Sequence, residues 1–307
     1  GKETVQNLSA LRFANAVIEP LWNRTHIEHV QITVSEHIGT GNRAQFYNRT
    51  GALRDMVQNH MLQLLCLVAM EPPLSLDHDE LRNEKIKVLK ALRPITAESA
   101  KRVTARGQYA AGAINGEAVP GYADELGDDS DIETFVAIRA DIDNWRWQGT
   151  PFYLRTGKRL PQKTSEIVIQ FRRMAHSIFT ETDTELEPNR LIIRLQPDEG
   201  MRLTIATKEP GPGGFQLRTL PLNLSFGETY DARYPDAYER LLMEVLRGNP
   251  ALFMRRDEVD AAWAWIDQII AAWDGARMRP QKYVAGTWGP TDAIVLLDRD
   301  DRAWFQQ

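Results

Sequence analysis

The stretch Arg190-Leu191-Ile192-Ile193-Arg194-Leu195-Gln196-Pro197-Asp198-Glu199-Gly200-Met201-Arg202-Leu203-Thr204-Ile205-Ala206 decides the fold. Leu191, Ile193 and Leu195 recur at every second position, the period of a strand with one buried face. Pro197-Asp198-Glu199-Gly200 interrupts the run with turn-forming residues. Alternation then resumes at Met201, Leu203 and Ile205. Two alternating runs on either side of a short turn predict adjacent antiparallel strands.

Further strands are expected on both sides, at residues 29–36, 133–142, 151–154, 166–171 and 222–226. Helical spacing predicts helices over 3–18, 53–68, 81–92, 235–247 and 256–273. The acidic start Asp77-His78-Asp79-Glu80 precedes the third of these. Residues 283–290 are rich in Gly and Pro and read as irregular. There is no internal repeat. Helices, then a run of strands, then helices predict an α+β fold, with a large mainly antiparallel sheet and helices packed on one face.

The chain has 307 residues, 43% hydrophobic and 26% charged, with a net charge of −5. That is ordinary globular composition, and the charge favours neither nucleic acid nor an anionic membrane as partner. No apolar run approaches the roughly 18 residues that span a bilayer. The single cysteine, Cys66, excludes a disulfide framework and fits the cytoplasm. It reads as a small buried hydrophobe. The six histidines are scattered, so no metal site is expected. No Gly-x-Gly-x-x-Gly follows a strand, so a dinucleotide fingerprint is missing. The first expected helix begins at once after Gly1-Lys2, which predicts a chain cut from a longer one.

The chemistry gathers in a few places. Leu53-Arg54-Asp55-Met56-Val57-Gln58-Asn59-His60 opens a helix with apolar residues at Leu53, Val57, Leu64 and Val68. His60 reads as half-buried on that stripe, where an imidazole titrating near neutrality suits a general base. A core histidine bonded to a carbonyl is the alternative. Leu154-Arg155-Thr156-Gly157-Lys158-Arg159-Leu160-Pro161-Gln162-Lys163 carries four cations at a strand end. It suits a phosphate on a small metabolite, or is a solvated basic loop. Lys2, at a helix start, is a further anion ligand or an exposed lysine. Glu36 and Asp55 can accept sugar hydroxyls, or can form the acid and nucleophile of a glycosidase. Asp236-Ala237-Tyr238-Glu239-Arg240 reads as a helix start with a surface Glu-Arg pair. The tryptophans at 145, 147, 263, 265, 273 and 288 read as core and interface.

Together, residues 1–8, 54–60, 153–163, 194–197, 236–240 and 286–290 resemble the carboxy-terminal part of bacterial glucose-6-phosphate dehydrogenase. The resemblance covers nearly the whole chain and implies one α+β domain over residues 1–307, without the family's Rossmann domain. It implies oxidation of glucose 6-phosphate at C1 to the lactone in the pentose phosphate pathway, with hydride passing to NADP. On this resemblance His60 is the general base and Lys2 contacts the sugar phosphate. Glu36 and Asp55 hold sugar hydroxyls, Lys158 and Lys163 contact substrate, and Gln196 adds a polar contact. A homodimer through the sheet, or a tetramer built from it, is implied, in the cytoplasm. Only Gly1-Lys2 remains of the family's Asp-His-Tyr-Leu-Gly-Lys motif, whose aspartate orients the catalytic histidine. The chain alone is therefore expected to be inactive. Gly39-Thr40-Gly41-Asn42-Arg43 also differs from the family's Gly-x-x-Gly-Arg loop. The competing reading is a non-catalytic module that binds sugar phosphate or mediates assembly.

Overall fold

The computed structural model describes residues 3–179, 187–211, 216–225 and 237–306. Lys2, Asp236, Phe226 and the glycine-rich residues 212–214 lie outside them. In chain order the elements begin with α1 (Glu3–Phe13), β1 (Ile27–Ser35) and α2 (Ala44–Tyr47). A π-helix (Leu53–Met61) runs directly into α3 (Leu62–Ala69), followed by α4 (His78–Lys90) and α5 (Ala97–Val103). Then come β2 (Thr104–Ala110), β3 (Gly112–Ile114), β4 (Glu117–Val119), α6 (Tyr122–Leu126) and β5 (Phe135–Ala140). Next are β6 (Phe152–Gly157), β7 (Thr164–Phe171), β8 (Arg190–Gln196), β9 (Gly200–Lys208) and β10 (Leu217–Ser225). Last come α7 (Ala237–Leu246), α8 (Arg256–Gly275), β11 (Gln281–Val284) and α9 (Thr291–Asp298).

Among the described residues nine strands form one sheet in the order β10-β9-β8-β7-β1-β6-β5-β2-β11. The quoted hairpin is present, with Leu191 opposite Leu203 and Ile193 opposite Met201. Among the described residues only β1 with β6 and β11 with β2 run parallel. The other pairings in this sheet are antiparallel. The fold is the expected α+β class with a mainly antiparallel sheet.

Alternation along each strand sorts the core into two layers. Val30, Ile32, Val136, Ile138, Leu154, Ile167 and Ile193 face the long helices, with Val57, Leu65, Leu89 and Ile266 packed among them. Each such fully buried chain contributes about 1.5–3 kcal/mol. The other face of the β6-β5-β2 end carries Tyr153, Phe135 and Tyr109, covered by Tyr122, Ala293 and Leu297 from α6 and α9. The long helices thus occupy one face as expected, while short helices cover part of the other. The C-terminal tail crosses this second face. Its Trp304 ring lies 4.4 Å from the Arg155 guanidinium, with Trp288 at 4.5 Å.

Several boundaries differ from expectation. Helix α1 stops at Phe13, because the Asn15 side chain donates to the carbonyls of Ala10 and Leu11. Helix α4 starts earlier, at His78, where Asp79 and Glu80 complement the positive end of the helix dipole. Strand β2 was not anticipated. Its Gly107 has no side chain to signal a strand, and a Cβ there would meet Pro290 at 2.9 Å. The expected irregular tail is in fact partly strand, since Gln281–Val284 pairs with Gly107–Ala110.

Candidate active site

The sheet register gathers one end of four strands. Ser35 stands opposite Gly157 on one side and Thr164 on the other. Ser165 stands opposite Gln196. Glu36, Lys158, Lys163 and Gln196 therefore all sit at the same end of the sheet. The parallel pairing of β1 with β6 is what brings their two C-terminal ends together. Glu36 N–H donates to Gly157 O at 3.0 Å, and Leu160 N–H returns to Glu36 O at 3.0 Å. The side chains complete the pairing, with Lys158 Nζ 2.6 Å from Glu36 Oε2. At 12% exposure the Lys158 ammonium is largely withdrawn from water, so this contact is stronger than a surface pair.

The backbone of Lys158 is held from both sides. Its N–H donates to Thr134 O at 3.0 Å, and its carbonyl accepts from Tyr283 Oη at 2.6 Å. Tyr283 comes from β11, the strand that periodicity did not reveal. Gln196 Oε1 lies 3.5 Å from Ser165 Oγ and precedes a cis bond to Pro197. Lys163 is exposed. Lys2 lies outside the described residues.

The residues before Thr134 anchor the second part of the site. Ala52 N–H donates to Glu133 O at 3.0 Å and Leu53 N–H to Glu133 Oε1 at 3.2 Å. These groups start the π-helix, where backbone N–H groups have no partner within the helix. Glu133 is buried and ion-paired to Arg106 at 3.1 Å. The Arg106 guanidinium in turn lies 4.4 Å from the Trp273 ring centroid. Glu133 and Thr134 thus fix the helix start and Lys158 through adjacent residues.

The π-helix changes the expected position of His60. Leu53, Val57 and Met61 form its buried face, and His60 is exposed rather than half-buried on the stripe. Asp55 and His60 both lie on this π-helix, Asp55 half-buried and His60 exposed. A π run of this length is unusual, and such turns are frequent at functional sites. Among the described residues the side chains of Asp55, His60 and Lys163 make no hydrogen bond or ion pair.

Tyr47 links the two parts. Burial pushes its phenol well up, and the nearby carboxylates of Glu133, Asp55 and Glu36 add to the rise. Its ring centroid lies 5.1 Å from Lys158 Nζ. Sequence spacing gives Tyr47 no part in the site, because Lys158 and Glu133 lie far from it along the chain. Glu133 was missed altogether, since a carboxylate that acts through distant backbone groups leaves no local spacing.

The remaining candidates are structural. Cys66 is fully buried, and burial pushes its thiol up to about 12. Trp147, Trp265 and Trp273 are core, whereas Trp145 is exposed. Arg240 donates to Gln6 Oε1 at 2.9 Å. Among the described residues no three His, Cys, Asp or Glu side chains group to hold a metal ion, and no helix is long and apolar enough to cross a membrane.

Residues 9–305 match the family model for the glucose-6-phosphate dehydrogenase C-terminal domain. The chain is 59% identical over 305 residues to glucose-6-phosphate 1-dehydrogenase of Rhizobium meliloti, covering 99% of this chain and 62% of the relative. The corresponding protein of Zymomonas mobilis is 52% identical, with 99% and 64% covered. A solved glucose-6-phosphate dehydrogenase in complex with its substrate glucose 6-phosphate superposes with a TM-score of 0.89 at 35% identity, covering 99% of this chain and 62% of that one. Glucose-6-phosphate 1-dehydrogenase from Mycobacterium avium gives 0.83 at 36%, with the same coverage. The chain thus spans about three fifths of the relatives it matches.

Proposed function

The chain belongs to the glucose-6-phosphate dehydrogenase C-terminal domain family, and we propose that it is the sugar-binding and general-base part of an NADP-dependent glucose-6-phosphate dehydrogenase. The reaction is oxidation of glucose 6-phosphate at C1 to 6-phosphogluconolactone. The observation that carries the reading is the Lys158–Glu36 pair at 2.6 Å, built beside the start of the helix that bears Asp55 and His60.

His60 accepts the proton of the C1 hydroxyl as the C1–H bond breaks and its electron pair leaves as hydride. The C1–O bond then becomes the lactone carbonyl. NADP, when bound, is the hydride acceptor, and this sequence carries no Gly-x-Gly-x-x-Gly to hold it. Glu36 and Asp55 accept hydrogen bonds from sugar hydroxyls. Lys158, Lys163 and Lys2 supply positive charge toward the phosphorylated end, and Gln196 adds a neutral polar contact. Charged partners of this kind hold the sugar in the orientation that proton and hydride transfer require.

His60 is exposed and meets no orienting carboxylate among the described residues. This supports the view that the isolated chain is inactive, because an unheld imidazole lacks a fixed tautomer. The full protein works as a homodimer through the sheet, or a tetramer built from it, in the cytoplasm. The exposed Leu220, Leu222 and Leu224 of edge strand β10 support the pairing. In a glycosidase Glu36 would need to be free for acid or nucleophile work, whereas here it is tied to Lys158.

The test is His60→Asn in the full-length protein. It should lower glucose 6-phosphate-dependent NADPH formation by about 10²–10⁴-fold. Turnover within a few-fold of the parent would remove His60 from the reaction.

A further inference from the structure

Glu125 sits 89 residues beyond Glu36 in sequence, and its side chain is 6% exposed. Its Oε2 accepts from Thr40 N, Thr40 Oγ1, Gly41 N and Tyr109 Oη, each at 2.8 Å. Its Oε1 accepts from Arg159 Nη2 at 2.6 Å. One carboxylate therefore ties the loop after Glu36 to the residue after Lys158. Burial would raise this carboxyl, but the bonds from Arg159, Thr40, Gly41 and Tyr109 outweigh it and hold it at about 2.

Arg159 has φ of 53°, a left-handed conformation that costs a residue with a Cβ. Its backbone is gripped as well. Arg159 N–H donates to Ile38 O at 3.2 Å, and Gly286 N–H donates to Arg159 O at 2.8 Å. A Cβ at Gly39 would collide with both the Glu125 carboxylate and the Arg159 guanidinium. The loop is thus shaped around this pair. None of these bonds reaches the π-helix that carries His60.

We propose that Glu125 is a positioning residue: by holding Arg159 and the 39–41 loop together, it fixes the turn that aims Lys158 at Glu36 for sugar-phosphate binding. The proposal rests on the substrate reading above, and it separates binding from chemistry. Lys158 and Glu36 depend on Glu125, whereas His60 does not.

The experiment uses two variants of the full-length protein, Glu125→Gln and Arg159→Gly. Glycine suits the left-handed backbone at 159, so the second variant removes the guanidinium without adding backbone strain. Each variant should raise KM for glucose 6-phosphate about tenfold, with kcat within about threefold and KM for NADP unchanged. Amine acylation followed by mass spectrometry gives a second readout that needs no turnover. In the parent, Lys158 should react several-fold more slowly than exposed Lys163, and both variants should abolish that difference. Protection of Lys158 that survives in folded variants would overturn the positioning role, whatever the activity. An unchanged KM, or kcat and both KM values worsening together, would also overturn it. A parent without glucose 6-phosphate-dependent turnover would instead overturn the substrate reading, while the acylation result would still decide the role of Glu125.

Discussion

Asp55 and His60 lie five residues apart on the π-helix, Asp55 half-buried and His60 exposed near its C-terminal end. The imidazole that serves as base is thus presented from one position of this helix. In the full-length protein, moving the imidazole by one position with Asn59→His and His60→Asn together should not restore activity. Recovery to within tenfold of the parent rate would contradict the assignment of the base to position 60.

Glu133 holds the start of that helix through Leu53 N–H and neutralises Arg106. Glu133→Ala should strand a largely buried guanidinium and cost about 3 kcal/mol, because breaking a buried pair leaves an uncompensated charge. Urea unfolding of the chain measures this. A loss below about 1 kcal/mol would mean that the carbonyls of Met278 and Asp131, which also accept from Arg106, suffice to hold its charge.

Lys158→Ala should remove the cation facing Glu36. In the full-length protein, KM for glucose 6-phosphate should rise by about 10²-fold, as for loss of a charged contact worth about 3 kcal/mol. KM for NADP should stay level. Steady-state kinetics with each substrate varied separately tests this.

The Glu125 carboxyl lies at about 2 when folded, against its ordinary 4.5. Between these values the unfolded chain binds more protons than the folded one, so stability rises with pH. The contribution is fully present above about 4.5 and is lost as pH falls toward 2. Glu125→Gln should therefore flatten the acid limb of a stability-against-pH curve and leave the alkaline limb unchanged. An unaltered acid limb would contradict the bond set drawn around this carboxylate.

Cys66 is fully buried, and burial pushes its thiol up to about 12. A thiol reagent at neutral pH should label it only on unfolding. Rapid labelling of the folded chain would show that the α3 core opens readily.

Legibility in the sequence followed local signal. Strands β1 and β8 were readable because their apolar residues alternate over an inner face that the long helices cover. Strand β2 was not, since Thr104-Ala105-Arg106-Gly107 offers little apolar alternation, and its pairing depends on distant β5 and β11. The π-helix was hidden because Leu53, Val57 and Met61 are equally consistent with α spacing. Lys158 and Glu36 were named from motifs, but only the parallel pairing of β1 with β6 explains why they touch. Glu125 and Glu133 escaped because each acts on groups many residues away, through bonds that no local pattern encodes.

The central claim is best tested by measuring glucose 6-phosphate-dependent NADPH formation by the full-length gene product, with its intact mass, alongside the isolated 307-residue chain. The account predicts a product well above this chain in mass that forms NADPH, and an isolated chain that forms none. A native product no larger than this chain and without turnover, or hydride transfer by the isolated chain, would contradict it.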